Sequence, residues 1–337
     1  MLRLSVLDQT PVRAGATPAQ AVAETLALAA LAERLGYHRY WLAEHHNSGG
    51  LAGAAPEILI GHVAALTRKM RVGSGGVMLS HYSPLKVAET FRMLETLHPG
   101  RIDLGVGRAP GSDQVTARAL AYGHALLPIE AFPHQLADLT GFLGGTLAPD
   151  HPFADIHAMP EGAGMPELWL LGSSDQSAAY AAHFGFRFSF AQFIAGESGA
   201  AVAAAYRRHF VPSAHTAQPE VSIGLSVLVA DSEAEARRLG ASRDLWLVRL
   251  FKGERGPFPS VEEALSYPYS DRERAYLESN RGRSVVGAPE QVRARLEALA
   301  ADYGAGEIVA VTITHDPAAR ERSYTLLAEA CGLKARP

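Results

Sequence analysis

Short apolar runs, separated by stretches bearing helix signals, recur eight times along this chain, and that rhythm constrains its fold more than any other feature. The runs lie at Arg3 to Leu7, Arg39 to Ala43, Arg71 to Val77, Arg101 to Gly107, Leu168 to Leu171, Arg187 to Phe190, Val221 to Val229 and Glu307 to Ile313. Most are β-branched or aromatic and nearly continuous in apolar character, as strands buried on both faces of a parallel sheet should be. Between them, Thr17-Pro18-Ala19-Gln20 combines an N-cap, a proline at the first helical position and a capping-box glutamine, and Gly36 closes the helix. Ser83-Pro84 opens a second helix that His98-Pro99-Gly100 stops, and Ser232 with Glu235 and Asp316 with Pro317 repeat the signal. Strand then helix, eight times, predicts an α/β protein: a closed (β/α)8 TIM barrel, with a doubly wound open sheet as the competing arrangement.

The 337 residues suit a single barrel domain spanning 1–337. Two stretches break the rhythm, an insertion at 109–167 after strand 4 and another at 252–289 after strand 7 and its helix. The second is either a lid folded back over a pocket or a plain surface excursion.

Composition narrows the class. A 47% hydrophobic and 20% charged chain is ordinary for a soluble enzyme, and no apolar run approaches the ~20 residues of a membrane span. A net charge of −4 provides no basic field for nucleic acid. Cys331 stands alone, which excludes an internal disulfide and a cysteine metal cluster, and the start shows no secretion signal; a cytoplasmic location is expected.

Polar and glycine residues collect where four of the runs end, and in a barrel those ends share one face. Arg108 follows Gly105-Val106-Gly107, placed either to grip a phosphate bidentately or to pair with a carboxylate at the rim. Gly172-Ser173-Ser174-Asp175-Gln176-Ser177 ends the fifth run and opens a helix, which makes it an anion site or an ordinary capped helix start. Gly75-Gly76 lies inside an otherwise good strand and marks either a bulge or a place where something flat meets backbone. His45-His46 ends the second run; one of the two faces the pocket as an acid/base, or both are hydrogen-bonded rim residues. No His-x-His or His-Glu-x-x-His pattern supports a metal.

In this order and spacing the four segments resemble the bacterial luciferase-like monooxygenase family, flavin-dependent barrels, over nearly the whole chain. Glu44-His45-His46 is similar to the family's Glu-His-His, which implies that His45 is the catalytic acid/base beside the flavin ring. The resemblance implies a non-proline cis peptide at Gly75-Gly76 against that ring and a phosphate site of Arg108, Ser173, Ser174 and Ser177. It also implies that Phe190, Ala191 and Gln192 lie near the ring. The chain departs from luciferase proper at Gly107, where a cysteine is usual, at Ala109-Pro110-Gly111, and at Ser173 in place of an acidic residue. These changes put light emission in doubt and resemble the group whose substrates are unassigned.

The implied activity is an FMN-dependent monooxygenase that uses reduced flavin and dioxygen on a small apolar organic substrate. The alternatives are hydride transfer with a deazaflavin or reduced flavin, and a flavin-binding protein without turnover. With no Gly-x-Gly-x-x-Gly fingerprint after the first strand, a separate flavin reductase is the expected partner. The resemblance further implies a homodimer.

Overall fold

A computed structural model of the chain describes residues 2–108, 113–122, 127–162, 164–196 and 199–336. Its strands are β1 (Arg3–Asp8), β2 (Arg39–Leu42), β3 (Arg71–Met78), β4 (Ile102–Gly107), β5 (Glu167–Gly172), β6 (Arg187–Ala191), β7 (Val221–Val229), β8 (Ser284–Gly287) and β9 (Glu307–Val311). The helices are α1 (Pro18–Leu35), α2 (Pro56–Leu66), α3 (Pro84–Leu97), α4 (Gln114–Ala121), α5 (Phe132–Gly144), α6 (Asp175–Phe184) and α7 (Gln192–Ala195). They continue with α8 (Gly199–His209), α9 (Glu233–Phe251), α10 (Val261–Ser266), α11 (Asp271–Ser279), α12 (Pro289–Tyr303) and α13 (Pro317–Ala330).

Strands β1 to β7 pair in sequence, all parallel, and β9 joins β7 to β1, closing an eight-stranded barrel. The staves are the eight apolar runs of the sequence. A ninth strand, β8, pairs with Ser226 to Val229, beyond the level at which β6 leaves β7. The sequence places those residues inside the 252–289 insertion, because one apolar pair, Val285-Val286, carries too little pattern to stand out from a loop.

Alternation along the strands divides the buried residues into two layers. Leu4, Val6, Leu42 and Val72 belong to the large cluster between staves and helices. Leu7, Trp41, Trp169, Val309 and Val311 fill the barrel interior. Beneath this apolar plug lies a charged floor. Arg39 donates to Asp103 at 2.6 Å and to Glu307 at 2.7 Å, and its guanidinium sits 4.7 Å from the centre of the Trp169 ring. Burial opposes the charge on Asp103, but Arg39 and Arg71 overcome it and hold the carboxyl below its ordinary pKa. A packed floor and plug leave the opposite end, where the strands finish, as the end open to a ligand.

The 252–289 insertion folds back over that end. Phe258 joins the interior cluster, donates its N–H to the Val12 carbonyl and accepts from the Ala14 N–H, both at 2.8 Å, and stacks on Trp246 at 4.4 Å. The part around Phe258 therefore reaches the mouth, while α10 and α11 pack against α9 and β8 pairs with β7. Among the described residues no helix is long and apolar enough to cross a membrane.

Candidate active site

The end of β2 separates the roles of two adjacent histidines. Glu44 is buried, and its carboxylate accepts from the Met78 N–H at 2.9 Å and the Tyr82 hydroxyl at 2.5 Å. His46 Nε2 completes the set at 2.7 Å from Glu44. Glu44 therefore ties the end of β2 to the end of β3 and holds the His46 ring by Nε2. His45 and His46 both line a cavity of about 350 Å³ whose walls include Phe193, Trp246 and Ile313.

The His45 backbone N–H donates to the Gly53 carbonyl at 2.9 Å, which fixes where the ring emerges. Nδ1 is shut in without a partner, which leaves Nε2 as the accessible nitrogen. Burial, seconded by the like charge of His46 and opposed by Glu44, pulls the His45 pKa down to about 4. At neutral pH the ring is uncharged, so Nε2 is free to accept or pass on a proton.

One stave further round, the Gly75–Gly76 peptide is cis, and the register of β3 against β4 slips between Gly75 and Val77. Both glycines are partly exposed within a strand whose other residues are mostly buried. A Cβ on Gly75 would lie 2.6 Å from Leu7 Cδ1 and 2.9 Å from Trp41 Cβ. A Cβ on Gly76 would lie 2.8 Å from the Gly105 carbonyl oxygen. Neither position admits a side chain, so bare backbone faces the mouth.

Pairing of Gly107 with Leu171 then sets Arg108 beside the start of α6. The Arg108 guanidinium donates to the side-chain carbonyl of Gln176, in the first turn of that helix. Ser174 caps α6 by accepting from the Ser177 N–H at 3.3 Å, and the two hydroxyls lie 3.2 Å apart. Gly172 permits this close approach, since a Cβ there would fall 2.3 Å from Ser177 Oγ. Arg108, Ser173, Ser174 and Ser177 thus share one stretch of rim, further round than the cavity at His45. Ala109-Pro110-Gly111 lies outside the described residues.

The end of β6 corrects part of the expectation. Phe190 belongs to the outer layer, packed against Phe188 and Tyr303, so its side chain is turned away from the mouth. The Gln192 amide donates to the Gly196 and Gly282 carbonyls and accepts from the Tyr303 hydroxyl, which commits it to holding α7 in place. Ala191 keeps its place on the inward parity. The aromatic side chains that do reach the cavity, Phe193 and Trp246, were missed because each sits in an apolar helical run that reads as ordinary core. Among the described residues no group of three histidine, cysteine or acidic side chains is placed to hold a metal.

A family model described as luciferase-like monooxygenase matches residues 2–306. The chain belongs to that family. It is 46% identical to uncharacterized protein YceB of Bacillus subtilis, over 98% of this chain and 99% of the relative. It is 38% identical to N-acetyl-S-alkylcysteine monooxygenase of the same organism, over 98% of each. Apo-MsnO8 superposes with a TM-score of 0.92 at 40% identity over the whole of both chains. Two more distant luciferase-like folds were solved with different cofactors. The oxygenating constituent of 3,6-diketocamphane monooxygenase holds FMN, with a TM-score of 0.71 at 19% identity over the whole of both chains. An F420-dependent secondary alcohol dehydrogenase holds an F420-acetone adduct, with a TM-score of 0.68 at 12% identity over 98% of this chain and 99% of that one. This luciferase-like chain is a flavin-type oxidoreductase by family.

Proposed function

We propose that the protein is an FMN-dependent monooxygenase that takes reduced flavin and dioxygen and transfers one oxygen atom to an organic substrate. The observation that carries this reading is one rim holding a neutral, cavity-facing His45, the bare Gly75-Gly76 backbone, and Arg108 at the start of α6. Two features support FMN. The glycine pair presents partly exposed backbone against which a flat ring can lie, and a guanidinium with the first amides of a ten-residue helix suits a phosphate dianion. Bound reduced flavin supplies the electrons that activate dioxygen.

The chain's own residues do the rest. Arg108 gives up its bond to Gln176 to hold the phosphate, with Ser173, Ser174 and Ser177 supplying hydroxyls beside it. His45 moves the proton at Nε2. Phe193, Trp246 and the Phe258 strap exclude water from the space over the barrel. A separate flavin reductase supplies the reduced cofactor, and the active assembly is a homodimer.

Titration of the purified protein with FMN, riboflavin and a deazaflavin, followed by oxygen uptake, tests the reading. FMN is expected to bind more tightly than riboflavin, and Arg108→Ala to weaken FMN roughly tenfold or more while sparing riboflavin, which has no phosphate. Equal losses for both ligands would overturn the phosphate assignment. A preference for deazaflavin, with turnover that needs no oxygen, would replace oxygenation by hydride transfer.

A further inference from the structure

Among the described residues several buried guanidiniums are paired, but one in the wall of the His45 cavity is not. Arg39 meets Asp103 and Glu307, Arg320 meets Asp8, and Arg92 donates to the carbonyls of Phe142 and Leu143. Arg255, at the same cavity, donates to the Asn47 carbonyl and the Asp113 carboxylate. Arg243 lines this cavity too, yet among the described residues it has no carboxylate within ion-pair distance and no hydrogen-bond acceptor. Asp244, next to it on α9, acts on it by charge and lines the adjoining hollow, but forms no ion pair with it.

Geometry places Arg243 as the polar end of an apolar space. On α9 it precedes Trp246 and Leu247 by one turn and Leu250 by two, and all four face the cavity that His45 enters from β2. It also lines the adjoining hollow under α11 and β8, which shares Ser226, Leu247 and Ile313 with the first. Burial is the main influence on its pKa and lowers it; Asp244 and then Tyr276 oppose it, and Arg283 adds like charge. Arg283 itself carries a buried Nε with no partner. A part-buried cation left without an anion is costly, and that cost is relieved if the anion arrives with a ligand.

We propose that Arg243 is a specificity-determining residue that binds the carboxylate of an acidic organic substrate, whose apolar body lies along Trp246 and Phe193 toward His45. The inference rests on the monooxygenase reading for its use in turnover, but not for the binding itself. It changes the expected substrate from wholly apolar to an apolar body with an acid at one end.

The test measures binding of octanoate and octanol to the FMN-loaded protein by Trp246 fluorescence, in the wild type, Arg243→Gln and Arg243→Lys, with FMN and riboflavin titrated separately against each. Octanoate is expected to bind the wild type more tightly than octanol. Arg243→Gln should weaken octanoate roughly ten- to a hundredfold, the usual worth of a charge-assisted hydrogen bond, with octanol unchanged and Arg243→Lys intermediate. Octanoate and octanol binding the wild type alike, or losing affinity alike in Arg243→Gln, would overturn the proposal. So would a loss of FMN but not riboflavin in Arg243→Gln, which would give this guanidinium to the flavin phosphate. If no flavin binds any variant while octanoate selectivity persists in the bare protein, the monooxygenase reading fails and the carboxylate site stands.

Discussion

His45 and His46 differ in chemistry because one carboxylate serves only one of them. Glu44 bonds His46 at 2.7 Å and leaves His45 to a mostly apolar wall, so burial sets the pKa of His45 at about 4 against an ordinary 6.5. The sign of the linkage follows. The folded state resists protonation, so this histidine's contribution to stability is complete above pH 6.5 and is lost as pH falls from there through about 4. That span corresponds to about 3 kcal/mol. An NMR titration of labelled histidine should show His45 charging near pH 4, and a midpoint near 6.5 would mean that the ring is solvated. If the ring carries protons in turnover, His45→Ala should slow oxygenation by about 10²- to 10⁴-fold with FMN affinity nearly intact. Unchanged turnover would remove His45 from the mechanism. The sequence located the pair but left open which ring is held by a hydrogen bond, since that depends on Met78 and Tyr82, 32 and 36 residues beyond His46, converging on Glu44.

Each element contributes its end to the site, and glycines set how closely those ends approach. Gly172 sits where β5 turns into α6, directly under Ser177, whereas Gly107 at the end of β4 has nothing within 4 Å of a Cβ. Gly172→Ala should therefore push the first turn of α6 outward, weaken FMN several-fold relative to riboflavin, and cost about 1–3 kcal/mol in urea unfolding. Gly107→Ala should leave both quantities as they are; a matching loss there would show that the loop, rather than the helix start, carries the phosphate. These elements were legible because their signals are local. Thr17 and Gln20 form the expected capping box, and Gly36 ends α1 in the left-handed conformation. The outward side chain of Phe190 was not legible for a related reason: it precedes inward-facing Ala191 at the end of β6, and the strand's parity is set by pairing with β5 and β7 rather than by its own apolar residues.

For the whole molecule, the site depends on a barrel that is sealed at the other end by charge. Six of the eight apolar runs begin with Arg or Glu, which the sequence shows only as strand starts. Closure turns several of those positions inward at one level, where Arg39 from β2 reaches Asp103 on β4 and Glu307 on β9. Separations of 64 and 268 residues made this network invisible until the strands were in register. Replacing Arg39 with Met keeps much of the volume but leaves Asp103 to Arg71 and the Trp41 indole, and Glu307 to Ser5 and the more distant Arg3. Removing one partner from a buried ionic cluster costs about 3–5 kcal/mol, because the remaining charges lose their compensation without regaining water. The pH dependence should then change. In the wild type the depressed pKa of Asp103 gives stability that is complete above about 3.8 and falls only as pH drops below it. In Arg39→Met a carboxylate short of a cation takes up a proton more readily when folded than when unfolded, so the deficit in urea midpoint relative to wild type at the same pH should shrink as pH is lowered from 7 toward about 4. A deficit that stays the same over that range would show that Arg71 and Arg3 alone neutralise the floor, and that Arg39 serves chiefly to pack against Trp169.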